Sequence, residues 1–155
     1  MEIRKFVLMT AFRLSMLWDL ISTFLGTLLI LGHLGFVPIG ISLVGTLIVG
    51  AFNFSTKIIW EPRHLQRSDQ ILQLNLLRVA WLMAILFDFL TSLTCNAMYV
   101  AFRRIEIGTI SVEFNHLFRN LTGSQTLIVL FVTVLVTISP MMVGYLRDTN
   151  LDFLG

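Results

Sequence analysis

The run Val79-Ala-Trp-Leu-Met-Ala-Ile-Leu-Phe-Asp88-Phe-Leu-Thr91-Ser92-Leu-Thr-Cys95-Asn-Ala-Met-Tyr-Val-Ala-Phe102 decides the fold class. It is apolar throughout most of its length and exceeds the roughly 20 residues that a helix needs to cross the hydrocarbon of a bilayer. Near its middle stands a carboxylic acid. Positions i, i+3, i+4 and i+7 of a helix share one face, so Asp88, Thr91, Ser92 and Cys95 form a single stripe of acid, hydroxyls and a small side chain. An acid at that depth is costly and usually turns inward, toward a partner, a cavity or an ion path.

The same order recurs upstream as Asp19-Leu-Ile-Ser22-Thr23-Phe-Leu-Gly26. Aligned on the acids, Ser15 to Leu31 matches Ala84 to Val100, and Thr27 meets a second polar residue in Asn96. This is read as an internal repeat. Three further apolar runs, 14–32, 36–54 and 126–146, join 79–102 to make four expected spans within one membrane domain, 1–155. The expected fold is an all-α integral membrane protein, arranged as two tandem, parallel helical hairpins. Composition agrees: 56% of residues are hydrophobic and 13% charged, against about a quarter charged in soluble domains. Mean hydropathy is +0.85. The first span has two readings. A start at Leu14 puts Asp19 near a boundary, whereas a start near Phe6, with Arg13 snorkelling, puts it near mid-membrane.

Positive charge sets the expected orientation, because cytoplasmic loops retain Lys and Arg. Arg4, Lys5, Arg13, Lys57, Arg63, Arg67, Arg78 and Arg147 fall on one side, and Arg103, Arg104 and Arg119 on the other. Both termini are therefore expected in the cytoplasm. Within the loops, Ser68 or Asp69 is positioned to cap a helix running into the third span, and Trp60 with Lys57 reads as an interfacial anchor. Residues 110–118 read as a short amphipathic segment on the outer surface.

The polar stripes suggest ion chemistry. A carboxyl removed from water can bind and release a proton near neutral pH, and hydroxyls one turn away supply oxygens suited to a hard cation. Asp19, Ser22, Thr23, Asp88, Thr91 and Ser92 are the candidate ion-binding or proton-handling residues. The bland alternative is that the acids glue helices together, or that Asp19 pairs with Arg13. Gly26, Ser42, Gly45, Thr46, Gly50 and Cys95 are read as helix-packing positions, since small residues let backbones approach. Pro140 interrupts the hydrogen-bond ladder of the last span at the Val136 carbonyl, and the hydroxyls of Thr137 and Ser139 are the expected compensation.

Other chemistry lacks its motifs. A lone cysteine excludes an intramolecular disulfide or thiol redox pair. Glu113 and His116, even with His33, fall short of a convincing ligand set, so no metal and no cofactor is expected. There is no phosphate-binding loop or nucleophile elbow, and a net charge of +2 spread over the membrane boundaries makes no nucleic-acid patch. Asn120-Leu-Thr122 fits the glycosylation pattern. The leading expectation is a non-enzymatic channel or transporter for protons or small cations that assembles as a homo-oligomer in the lipid bilayer, because the stripes need shielding from lipid. The alternative is a noncatalytic membrane subunit or scaffold whose stripes bind partner transmembrane helices.

Overall fold

A computed structural model of the protein describes residues 2–61, 68–105, 107–108 and 114–148, with 2–5, 68–70, 114–116 and 144–148 described as backbone alone. The described residues form α1 (Glu2–Leu31), α2 (Phe36–Phe54), α3 (Thr56–Trp60), α4 (Ser68–Phe102), α5 (Phe114–Arg119) and α6 (Gly123–Asp148). Four of these are long and apolar enough to cross a membrane, over Phe6–Leu31, Phe36–Phe54, Ile71–Phe102 and Gly123–Val143. Asp19 thus sits near the middle of its segment, as the earlier of the two starting points implies. Arg63, Arg67 and Glu113, and the side chains of Arg4, Lys5, Ser68, Asp69, His116 and Arg147, lie outside what is described.

Local chemistry explains the helix ends. Gly32, at φ 72°, lets the chain leave α1 in the left-handed conformation that costs glycine nothing, and its N–H caps the Leu28 carbonyl at 3.0 Å. α6 begins at Gly123, before the apolar run, because Thr122 and Gln125 form a reciprocal cap. The Thr122 N–H donates to Gln125 Oε1 (2.8 Å), and the Gln125 N–H donates to Thr122 Oγ1 (3.4 Å). The threonine of the glycosylation pattern is therefore a helix cap. α4 runs unbroken through Arg78, whose side chain is taken up by α3: Nε donates to the Ile59 carbonyl (3.4 Å) and the guanidinium lies 5.1 Å from the centre of the Trp60 ring.

The four long helices pack around an interior that is polar, while their outer faces are oily. Leu47, Met83 and Phe131 are 63%, 62% and 66% exposed, whereas Asp19, Ser22, Thr23, Asn53, Asp88, Thr91, Ser92 and Thr133 are fully buried. That distribution suits a hydrocarbon solvent and would be unfavourable in water. α1 packs on α2, α4 and α6, and its contacts with α4 advance together along both helices: Gly26 faces Thr91, and Leu29 clusters with Cys95 and Met98. Leu117 of α5 inserts into this last cluster, which ties that helix to the core.

The small residues divide by what they face. A Cβ on Gly26 would overlap the Thr91 carbonyl, which makes this the tight crossing of α1 and α4. On α2, Ser42, Thr46 and Gly50 are buried, Gly50 against Leu20, and a Cβ added at Gly45 would lie 3.7 Å from the Phe87 ring. The small face of α2 is thus used within the chain. Around Pro140 the compensation differs from expectation: Ser139 Oγ donates to the Leu135 carbonyl, not that of Val136, and meets Ser15 Oγ at 2.7 Å. Thr137 Oγ1 has no partner.

Gly26→Ala is expected to lower stability in detergent by roughly 1–3 kcal/mol, the range for overfilling a packed contact. Gly40→Ala, where a Cβ meets nothing within 4 Å, should leave the unfolding temperature unchanged or raise it.

Candidate functional site

The two aspartates meet. Asp88 is completely buried on α4, and its two carboxyl oxygens are occupied from two other helices. Thr23 of α1 donates its hydroxyl to Oδ1, and the amide nitrogen of Asn53, on α2, donates to Oδ2 at 3.0 Å. Asp19, 1% exposed on α1, lies within hydrogen-bonding reach of the Asp88 carboxyl, and its own Oδ1 has no hydrogen-bond partner. The carboxyl turns to Asp88 rather than to Arg13, whose residue is exposed.

Around the pair, the hydroxyls of the two stripes interlock. Ser22 Oγ lies 2.8 Å from Ser92 Oγ, and Thr23 Oγ1 lies 3.3 Å from the same atom. Ser22 also donates to the Asp19 carbonyl at 3.0 Å. Thr91 is different. Its hydroxyl bonds back to the Phe87 and Asp88 carbonyls of its own helix, at 2.9 and 3.0 Å, and its backbone forms the wall against Gly26. Five of the six candidate ion-handling residues therefore converge, and Thr91 supports the site without presenting a side-chain group to it. Cys95, the counterpart of Gly26, packs in the apolar cluster with Leu29 and Met98.

The matching stripes occupy unlike surroundings. In the alignment Asp19 corresponds to Asp88, yet Asp88 holds two side-chain donors while one oxygen of Asp19 holds none. The difference comes from α2, which supplies Asn53 to Asp88. Sequence reasoning passed over Asn53, although an amide in the last turn of an otherwise oily span is itself a signal, since it needs a partner away from lipid.

A second polar layer lies against α6. Asn96 accepts from Trp18 Nε1 (3.3 Å) and donates to Thr133 Oγ1 (3.1 Å), and Thr133 in turn donates to the Val129 carbonyl (2.7 Å). At the α3 end, Thr56 Oγ1 donates to the Asn53 carbonyl (2.7 Å) and accepts from Trp81 Nε1 (3.0 Å). Trp81 stands edge-on to Trp60, at 5.4 Å between ring centres. Trp60, Arg78 and Trp81 thus form one aromatic and cationic cluster at this end.

Among the described residues no three His, Cys, Asp or Glu side chains lie close enough to hold a metal ion. The molecule is defined by four helices fit to span a membrane and by a carboxyl pair enclosed between them. No protein-family model, curated protein or solved structure matches the chain.

Removing a donor to a carboxyl should cost more than removing a neutral hydroxyl. Asn53→Leu is expected to lower stability in detergent by roughly 1.5–3 kcal/mol, the range for hydrogen bonds to charged groups. Thr133→Val should cost about 0.6 kcal/mol, the average for polar contacts between membrane helices. Equal losses would show that Asn53 does not serve Asp88 as described.

Proposed function

We propose that this chain is a membrane channel or transporter for protons or small cations, with Asp19 and Asp88 as the groups that take up and release the ion. The observation that carries this reading is the contact of two fully enclosed carboxyls near the middle of membrane-length helices, one of them with an oxygen lacking any partner. A purely adhesive pair would be expected to satisfy its polar atoms, because an unpaired buried group weakens the contact it joins. Ser22, Thr23, Ser92 and Asn53 line the pair and hold it in place. In this reading the described conformation is the occluded one, and loading requires α1 and α4 to part.

Several further parts of the proposal go with it. The protein acts as two tandem hairpins related by the internal repeat, with the ion site where the repeats meet. Both termini are cytoplasmic, and no enzymatic step is involved. Assembly into a homo-oligomer is proposed as the working form, although shielding the stripes does not by itself demand it, since one chain encloses them. The same enclosure weighs against the scaffold reading, because side chains spent on one another are not displayed to partner helices.

The test is proton and cation flux in proteoliposomes. Asp19→Asn and Asp88→Asn, each eluting at the native size, should lower flux by roughly tenfold or more, the effect of about 1.4 kcal/mol on a barrier. Flux absent from the native protein, or unchanged in both variants, would overturn the reading.

A further inference from the structure

The donors around the acid pair discriminate between the two classes of ion, and we infer that the group loaded is a proton, carried by the Asp19 carboxyl, with Asp88 as its fixed acceptor. This deepens the transport reading and rests on it for its biological meaning.

A bare hard cation is held by several oxygen lone pairs pointing at one centre. The side chains that reach Asp88 do the opposite. Thr23 points its O–H at Oδ1, and Asn53 presents its N–H, not its carbonyl oxygen, to Oδ2. With hydrogens directed at both oxygens, Asp88 has the environment of an acceptor. Asp19 is the complement. No donor reaches its Oδ1, and its carboxyl lies within hydrogen-bonding reach of Asp88. Of two neighbouring carboxyls away from water one is favoured to carry a proton, and the donors directed at Asp88, with none at Asp19 Oδ1, leave Asp19 to carry it. Asp19 and Asp88 are the only charge-bearing side chains among the described buried residues, so no cation within the described core competes for this proton.

Thr23 and Asn53 are accordingly positioning residues. They hold Asp88 as the acceptor and so place the proton on α1 rather than α4. Movement of α1 away from α4 would carry the proton with Asp19. Its release then leaves a carboxylate that Asp88 repels until the next proton arrives.

A hydrophobic carbodiimide, which reacts with protonated carboxyls in apolar surroundings, reads this directly in the full-length protein in detergent. The carboxyl proton moves to one carbodiimide nitrogen as a carboxyl oxygen bonds the central carbon. The resulting O-acylisourea rearranges to a stable N-acylurea without loss of atoms, and peptide mass spectrometry locates it. The adduct is expected on the Asp19 peptide, undiminished by sodium or potassium salt, and lost in Asp19→Asn. In Thr23→Val and in Asn53→Leu it should spread to Asp88. Adduct mainly on Asp88, protection by sodium or potassium, or no adduct on either residue would overturn the inference. Flux with the adduct on Asp88 would remove this assignment and leave the transport reading standing; the adduct on Asp19 without flux would do the reverse.

Discussion

A carboxyl group placed among hydrocarbon has to find its partners inside the protein, and that constraint organises the molecule. Asp88 is supplied by Thr23 from α1 and Asn53 from α2, and it lies beside Asp19. Three helices are thereby tied to one side chain, and the near-contact of Gly26 with the Thr91 backbone brings α1 and α4 close enough for the ties to form. The oily outer faces need no such precision, because lipid and leucine are equivalent surroundings for one another. Polar atoms inside therefore do the specifying that apolar packing does in a soluble core.

Within that frame the two ends of the bundle are built differently. At the α5 end Leu29, Cys95, Met98 and Leu117 close the interior with apolar side chains. At the α3 end the closure is polar and aromatic: Asn53, Thr56 and Trp81 are linked by hydrogen bonds, and Trp60 and Arg78 cover them. A string of polar groups therefore runs from the acid pair toward α3, whereas the direct line toward α5 meets the Leu29 cluster. The unpartnered oxygens of Asp19 and Asn53 are both near the start of that string.

Much of this was legible in the residues before any coordinates. Length and hydropathy mark the four helices long and apolar enough to cross a membrane, and helical periodicity puts Asp19, Ser22 and Thr23 on one face and Asp88 and Ser92 on another. Helix ends were harder, since they depend on side chains outside the apolar runs. The Thr122–Gln125 cap starts α6 early, whereas α4 begins at Ser68, where the sequence offers Ser68 and Asp69 as caps. Periodicity also cannot say which stripe meets which. The backward hydrogen bonds of Thr91, the arrival of Asn53 and the choice of Leu135 rather than Val136 by Ser139 are decided by neighbouring helices. The asymmetry of the aspartates follows from the same cause: the matching order of acid and hydroxyls is in α1 and α4, but the partner that distinguishes them is on α2.

The central claim is that the two polar stripes face each other within a single chain, and a cross-link across them tests it most directly. With Cys95 replaced by alanine, Ser22→Cys and Ser92→Cys put sulfurs where hydroxyl oxygens lie 2.8 Å apart, close to the spacing that disulfide formation requires. Mild oxidation in the membrane should give a cross-link within one chain, leaving the protein at monomer mass under denaturing conditions. A cross-link only between chains, or none, would contradict this arrangement and with it the enclosed acid pair.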